Sequence, residues 1–318
     1  MSKTSTEPAR FALSGPAMGS RWTAVVYAPA TTDAAPLAET LAAAVEAVER
    51  QMSTWRADSD LMRLNAAAPG EWVALPADLA HVLEAALRIG KRTDGAFDIG
   101  VGAAVASWGF GAQAASAPGP LPGPCALAVD ALEVDEPGCR ARKRAATTLD
   151  LSGIAKGFGV DALARALDAQ GVTSYLVGID GELRARGLKP DGAPFAVALE
   201  RPESGRRVAM GVITLEDASV ATSGDYRHLR EARGARFSHT IDPATGAPVT
   251  SGLASVTVIA PTAMEADAFA TGLMALGPDR GPSRAEALGL DALFVIRRAE
   301  GLEQRGVGLF AQAPERGA

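Results

Sequence analysis

The sequence predicts an α+β fold with largely antiparallel sheets. Strand-like runs rich in β-branched and aromatic residues crowd the second half of the chain, at residues 174–179, 195–199, 208–215, 219–222 and 254–260. Helical periodicities are few. They do not alternate with those runs, as a doubly wound parallel sheet requires. No short-period repeat marks a solenoid or a propeller.

The elements follow in order. Residues 21–28 (RWTAVVYA) read as a strand. Leu37, Leu41, Val45, Val48 and Met52 recur at three- and four-residue steps and mark one helix face. A second helix is expected over 77–92, with Leu79, Val82, Leu83, Ala86 and Leu87 inward and His81 at the surface. Residues 113–124 are rich in Ala, Pro, Gly and Ser and read as a flexible insertion, followed by a short strand or two up to residue 144. A helix over 156–170 stops at Gly171. Thr262 and Glu265 form a capping box for a helix to about residue 276, and Ser283 with Glu286 repeats the signature for a shorter one. Residues 293–296 and 306–310 close the chain as a hairpin. Residues 1–11 are expected to be a disordered tail, 12–312 one domain, and 313–318 a second tail.

Composition narrows the function. The chain has 318 residues and 47% hydrophobic content, enough for a large core. A net charge of −6 and an isoelectric point of about 5.3 argue against nucleic acid as the main partner. Cys125 and Cys139 lack metal-site spacing and do not make a disulfide framework. No run of 18 apolar residues is present, and residues 1–10 show neither an apolar leader core nor a lipobox cysteine. The expectation is a cytoplasmic protein, or a periplasmic one had a leader been removed.

The chemistry begins at residues 149–161 (LDLSGIAKGFGVD). An apolar run carrying Asp150 breaks into Ser152-Gly153, and Lys156 then stands among small residues at a helix start. Helix N-termini offer unpaired N–H groups and positive potential to an anion. The spacing fits neither a Walker A loop nor the G-x-G-x-x-G fingerprint. An ordinary strand-to-helix connection with a solvated lysine has the same pattern.

Asp267 and Thr271 lie four residues apart, so one helix face carries both. A carboxylate and a hydroxyl so stacked suit magnesium, which takes few protein ligands. An acid favoured by the helix dipole beside an unrelated threonine fits equally. His239, in Ser238-His239-Thr240-Ile241-Asp242-Pro243, is the chain's candidate proton carrier. His228 follows Gly224-Asp225-Tyr226-Arg227 and serves either a site or a turn. A Ser-His-Asp hydrolase fits poorly, because no G-x-S-x-G elbow exists. Gly95-Ala96-Phe97-Asp98 and Trp108-Gly109-Phe110-Gly111 are glycine-rich aromatic segments able to wall a planar ring or to pack a core hinge.

Taken in order, these segments resemble the ApbE family, the FAD:protein FMN transferases. The resemblance runs from Met18-Gly19-Ser20 through Met52-Ser53-Thr54-Trp55, Asp58-Ser59-Asp60-Leu61-Met62-Arg63-Leu64-Asn65, Gly95-Ala96-Phe97-Asp98, Trp108-Gly109-Phe110-Gly111 and residues 149–161. It continues through Ala221-Thr222-Ser223-Gly224-Asp225-Tyr226 and residues 238–243 to Met264-Glu265-Ala266-Asp267-Ala268-Phe269-Ala270-Thr271. It spans about residues 12–312 and implies a T-fold-like arrangement with a flavin site between two lobes. It implies a magnesium-dependent enzyme that transfers FMN from FAD to a Thr or Ser hydroxyl of an acceptor flavoprotein and releases AMP. FAD pyrophosphatase activity, giving FMN and AMP, or FAD binding alone are its alternatives.

By motif position, Asp267, Thr271 and a backbone carbonyl near Gly153 are implied as magnesium ligands, and His239 as the base. Met18, Trp55, Ala96, Phe97, Asp98, Asp150, Lys156 and Ile241 fall where the family contacts FAD, with Trp55 suited to stacking on a ring. One departure stands out. Many members read Asn-Ile-Gly-Gly-Asp where this chain has Gly178-Ile179-Asp180-Gly181-Glu182.

Overall fold

The computed structural model describes residues 8–112, 123–203, 208–226, 229–232 and 235–312. Its main sheet has eight strands: β1 (Pro8–Ala17), β2 (Ser20–Pro29), β3 (Tyr175–Ile179), β4 (Glu182–Arg186), β5 (Ser219–Gly224), β6 (Leu253–Ala260), β7 (Asp291–Arg298) and β8 (Gly301–Val307). They pair in chain order, and every pairing is antiparallel. The sheet is thus a meander opened by four excursions. Residues 30–174 leave between β2 and β3, residues 187–218 between β4 and β5, residues 225–252 between β5 and β6, and residues 261–290 between β6 and β7. The α+β expectation holds.

The first excursion carries α1 (Ala34–Met52), α2 (Asp60–Ala66), α3 (Ala77–Arg92), α4 (Gly102–Ser107), α5 (Ala128–Ala131) and α6 (Ala155–Ala169). A small three-stranded sheet accompanies them, built from Val73–Ala74, Leu132–Asp135 and Arg140–Lys143. The helix α7 (Ala263–Leu288) forms the last excursion. The faces read from the sequence are the buried ones: Leu37, Leu41, Val45, Val48 and Met52 on α1, and Leu79, Val82, Leu83, Ala86 and Leu87 on α3. Strand β6 is buried along nearly its whole length, as expected of a central strand covered on both faces.

Three expected boundaries need correction. Residues 8–11, assigned to a disordered tail, belong to β1. It is an edge strand, so its Pro8 and Pro16 cost few ladder hydrogen bonds. The second terminal helix begins at Pro278 rather than near Ser283. The chain breaks at Gly277 (φ 78°), and proline is suited to a first helical turn. The closing hairpin pairs β7 with Gly301–Val307, whereas residues 308–312 form a 3₁₀ turn. The expected insertion falls outside the described residues at 113–122, as do His228 and the tails at 1–7 and 313–318.

Helices α6 and α7 are pinned to each other at their N-termini. Asp161 of α6 accepts the amides of Ala263 (3.0 Å) and Met264 (2.9 Å) at the start of α7. Asp267 of α7 accepts the amide of Gly157 (3.0 Å) in the first turn of α6. Each carboxylate thus caps the other helix and meets the positive end of its dipole. The approach is close: a Cβ on Gly157 would sit 2.2 Å from the Ala263 carbonyl oxygen. Arg184 of β4 adds an ion pair to Asp161. Replacing Asp161 by Ala removes two caps and strands Arg184, so it should lower the unfolding free energy by about 3 kcal/mol, read from urea denaturation. An unchanged urea midpoint would show that the caps carry no weight.

Candidate active site

Two tight turns meet at the start of α6. Met18-Gly19 joins β1 to β2, and Asp180-Gly181 joins β3 to β4. All four residues have positive φ (47°, 74°, 51° and 113°), as two-residue hairpin turns of the primed type require. Asp and Gly accept that backbone readily, whereas Met is an unusual choice. The Met18 amide donates to Glu49 of α1, and its side chain lies against Gly159 of α6. The Ser20 hydroxyl reaches Asp180 at 3.2 Å and ties the two turns together.

Lys156 projects from the first turn of α6 into this corner. Its ammonium is 2.7 Å from Glu182 Oε1 and 3.8 Å from Asp180 Oδ2. Burial alone would push its pKa down, but the carboxylates of Glu182, Asp267 and Asp180 outweigh it and hold the lysine charged. Glu182 is buried, and its Oε2 has no hydrogen-bond partner among the described residues.

Asp267 sits at 4% exposure on α7, and only its Oδ2 is hydrogen-bonded among the described residues. Burial raises its pKa first and the Glu182 charge adds to that, against Lys156 and the Gly157 amide. One turn on, the half-buried Thr271 places its hydroxyl 3.2 Å from that of Ser223 on β5. Gly153 faces the same threonine, since a Cβ there would lie 3.1 Å from Thr271 Oγ1. The buried Phe97 ring closes over Gly153, 3.4 Å from the same Cβ position. Gly153, Lys156, Phe97, Asp267 and Thr271 are therefore one neighbourhood.

The remaining sequence candidates lie at different depths. Asp150 is buried, and its carboxylate accepts the Ser152 amide (2.8 Å), which shapes the bend before Gly153. Asn65 of α2 grips the preceding Leu149 through both backbone groups (2.8 and 2.9 Å). A narrow crevice runs past Thr54, Asn65, Leu149 and Asp150, and beside it the Trp55 indole stands 74% exposed. Ala96 is half-buried against the core. The Asp98 carboxylate is occupied by the amides of Gly100 (2.6 Å) and Ala128 (2.9 Å). Burial nevertheless lifts its pKa to about 6, more than those two amides lower it. Ile241 is buried in the strand Ile241–Asp242, paired with Ala247–Pro248.

His239 follows the strand Ala235–Ser238 in the excursion between β5 and β6 and is half-buried. The Ser238 hydroxyl accepts the Thr240 amide (3.2 Å), and Trp108 braces the loop by donating to the Gly246 carbonyl (2.9 Å) and packing on Phe237. His81, by contrast, lies half-exposed against Glu136 (2.8 Å). The Cys125 thiol is pushed up by burial and by the Asp98 and Asp242 charges, which leaves it a poor nucleophile.

Among the described residues, no group of three or more His, Cys, Asp or Glu side chains forms a metal site. The donors here are of another kind: one carboxylate, one hydroxyl and the backbone beside Gly153. Hard oxygens in that number fit a magnesium ion that keeps water and phosphate in its shell.

The family model described as "ApbE family" matches residues 18–294. The chain belongs to the ApbE family. It is 38% identical over 299 residues to the FAD:protein FMN transferase of Vibrio cholerae serotype O1, covering 92% of this chain and 89% of that one. It is 35% identical over 301 residues to that of Escherichia coli K12, covering 91% and 84%. Among solved structures, the apo flavinyl transferase ApbE of Pseudomonas stutzeri superposes with a TM-score of 0.86 at 35% identity, covering 97% and 99%. The flavin transferase ApbE of Vibrio cholerae gives 0.83 at 35%, covering 94% and 97%.

Several residues of the site escaped sequence reasoning. Glu182 and Asp180 were visible only as a departure from the family string, not as the partners of Lys156. Asp161 had no signal beyond its place on an otherwise apolar helix face. Ser223 lay in a quoted motif without a role.

The Asp98 shift has a measurable consequence. Its folded pKa of about 6 lies above the unfolded reference of 3.8, so the folded state holds the proton longer. Stability from this group is complete below about pH 4 and declines as pH rises through about 6, by about 3 kcal/mol at most. Asp98→Asn should flatten the stability profile between those pH values in urea titrations. A profile as steep as that of the parent would contradict the assignment.

Proposed function

We propose that this chain transfers FMN from FAD to a Thr or Ser hydroxyl of an acceptor flavoprotein and releases AMP. One observation carries the reading. The buried Asp267, the Thr271 hydroxyl, the Gly153 bend and the charged Lys156 converge at the capped start of α6, in a chain of the ApbE family. The names of its relatives state FMN transfer between FAD and protein for those proteins.

Asp267, Thr271 and the backbone near Gly153 would hold magnesium. The ion supplies charge neutralisation at a pyrophosphate and an easier departure for AMP. Lys156 contributes a fixed positive charge at the same corner, kept protonated by its three carboxylate neighbours. Phosphoryl transfer depends mainly on alignment and charge, which rigid helix ends provide. FAD lies along Met18, Trp55, residues 96–98, Asp150 and Ile241. With its carboxylate taken by two amides, Asp98 contributes backbone there rather than charge. The acceptor oxygen attacks the FMN phosphorus, its proton passes to His239, and the bridging P–O bond breaks with its electron pair on AMP.

The assay combines FAD, magnesium and a panel of candidate acceptor domains, read by flavin fluorescence of the protein band and by AMP release. Covalent flavin with AMP is the expected outcome. AMP with free FMN would mark a hydrolase, and neither product a binding protein. Asp267→Asn is the informative metal variant, because an amide oxygen still caps Gly157. It should abolish magnesium-dependent transfer while the urea midpoint holds, and full transfer would refute the ligand role. His239→Ala should slow transfer by about a hundred-fold or more with little change in FAD affinity. Equal loss of both would make the histidine a binding residue.

A further inference from the structure

A second cavity, of about 530 Å³, opens beside the His239 loop. Its size lies within the usual range for ligand sites. None of the residues implied in FAD contact lines it. Its wall includes Ser238, adjacent to His239, and Met274 of α7. Met274 follows Thr271 by three residues and Asp267 by seven, so all three share one helix face. The cavity therefore reaches the helix face that carries Asp267 and Thr271.

Its opposite wall is the irregular segment 249–252, between the Ile241–Pro248 hairpin and β6. Val249 donates to Thr240 and Gly252 accepts from Arg297, but Thr250 and Ser251 make no backbone–backbone hydrogen bond among the described residues. The Ser251 hydroxyl is buried with no hydrogen-bond partner among them. Leaving a buried hydroxyl without a partner is costly, so an occupant that bonds to it is favoured. Ser251 also lies against the break in α7 at Gly277, where Pro278 has no N–H to offer the Met274 carbonyl. At the rim, Arg297 pairs with Asp225. A wall of unpaired main chain with polar and apolar side chains suits an extended polypeptide, held by backbone hydrogen bonds.

We infer that this cavity receives the target segment of the acceptor protein, an extended peptide whose Thr or Ser hydroxyl is delivered to His239 past Ser238. The inference rests on the transferase reading. It gives the incoming hydroxyl and the nucleotide separate entrances, as an in-line displacement requires. The proton leaves the hydroxyl for His239, the new bond joins its oxygen to the FMN phosphorus, and AMP departs on the nucleotide side.

The test uses the full chain and the acceptor domain that the parent protein flavinylates most readily. Ser251→Trp fills the cavity from its buried wall. Thr250→Trp does so from an exposed position and spares the packing at Gly277. Both should raise the KM for the acceptor about ten-fold or more while the FAD dissociation constant, read by flavin fluorescence, moves less than about two-fold. Weakened FAD binding with an unchanged acceptor KM would assign the cavity to the nucleotide and overturn the inference. So would variants with both constants unchanged. A parent protein that flavinylates no acceptor would instead remove the transferase reading, a result distinct from either.

Discussion

The exchange of carboxylates between α6 and α7 is the constraint on which the site depends. Asp161 caps one helix and Asp267 the other, across a contact close enough to exclude a side chain at residue 157. Two helix N-termini carry like partial charges and repel when brought together. An acid from each helix placed on the other's free amides turns that repulsion into mutual attachment. The same geometry fixes Lys156 and Thr271 relative to each other, since Lys156 adjoins the capped Gly157 and Thr271 stands one turn from Asp267, which caps it. One oxygen of Asp267 holds the helix start, and the proposed reading gives the other to a metal.

The meander explains how distant segments reach that corner. Because the eight strands pair in chain order, the turns β1–β2 and β3–β4 become neighbours although residues 30–174 separate them. That long excursion supplies α6, Phe97 and Asp150. The short one between β5 and β6 supplies the His239 loop, and the last supplies α7. The first and last of these excursions thus meet at one corner, while the sheet sets their spacing. The unusual string Gly178-Ile179-Asp180-Gly181-Glu182 also finds its place. Asp180-Gly181 is a favourable pair for a tight hairpin turn, and Glu182 becomes the buried partner of Lys156.

Much of this was legible in the sequence wherever periodicity or capping chemistry was strong. The faces of α1 and α3, the Thr262 cap and the stop at Gly171 all follow from local patterns. Strand β1 did not, because an edge strand with two prolines and few large apolar residues resembles a polar tail. The break at Gly277 lay inside a pattern read as two helices, but the second start was misplaced onto Ser283, whose side chain merely repeats a cap motif. Spacing placed Asp267 and Thr271 on one helix face, and the Ser152-Gly153 pair marked the bend, but only the family resemblance assigned them a ligand role. What spacing did not carry were the partners across the fold. Glu182 for Lys156 and Asp161 for the start of α7 are contacts between residues 26 and 102 positions apart, set by sheet pairing rather than by local sequence.

Manganese is a hard cation with strong anomalous scattering, so it can report where a magnesium ion would sit. In crystals grown with FAD and manganese, an anomalous peak is expected within bonding distance of a carboxylate oxygen of Asp267 and of the Thr271 hydroxyl, beside the Gly153 backbone. A peak elsewhere, with Asp267 bonded only to the Gly157 amide, would contradict the assignment of this corner as the reaction centre.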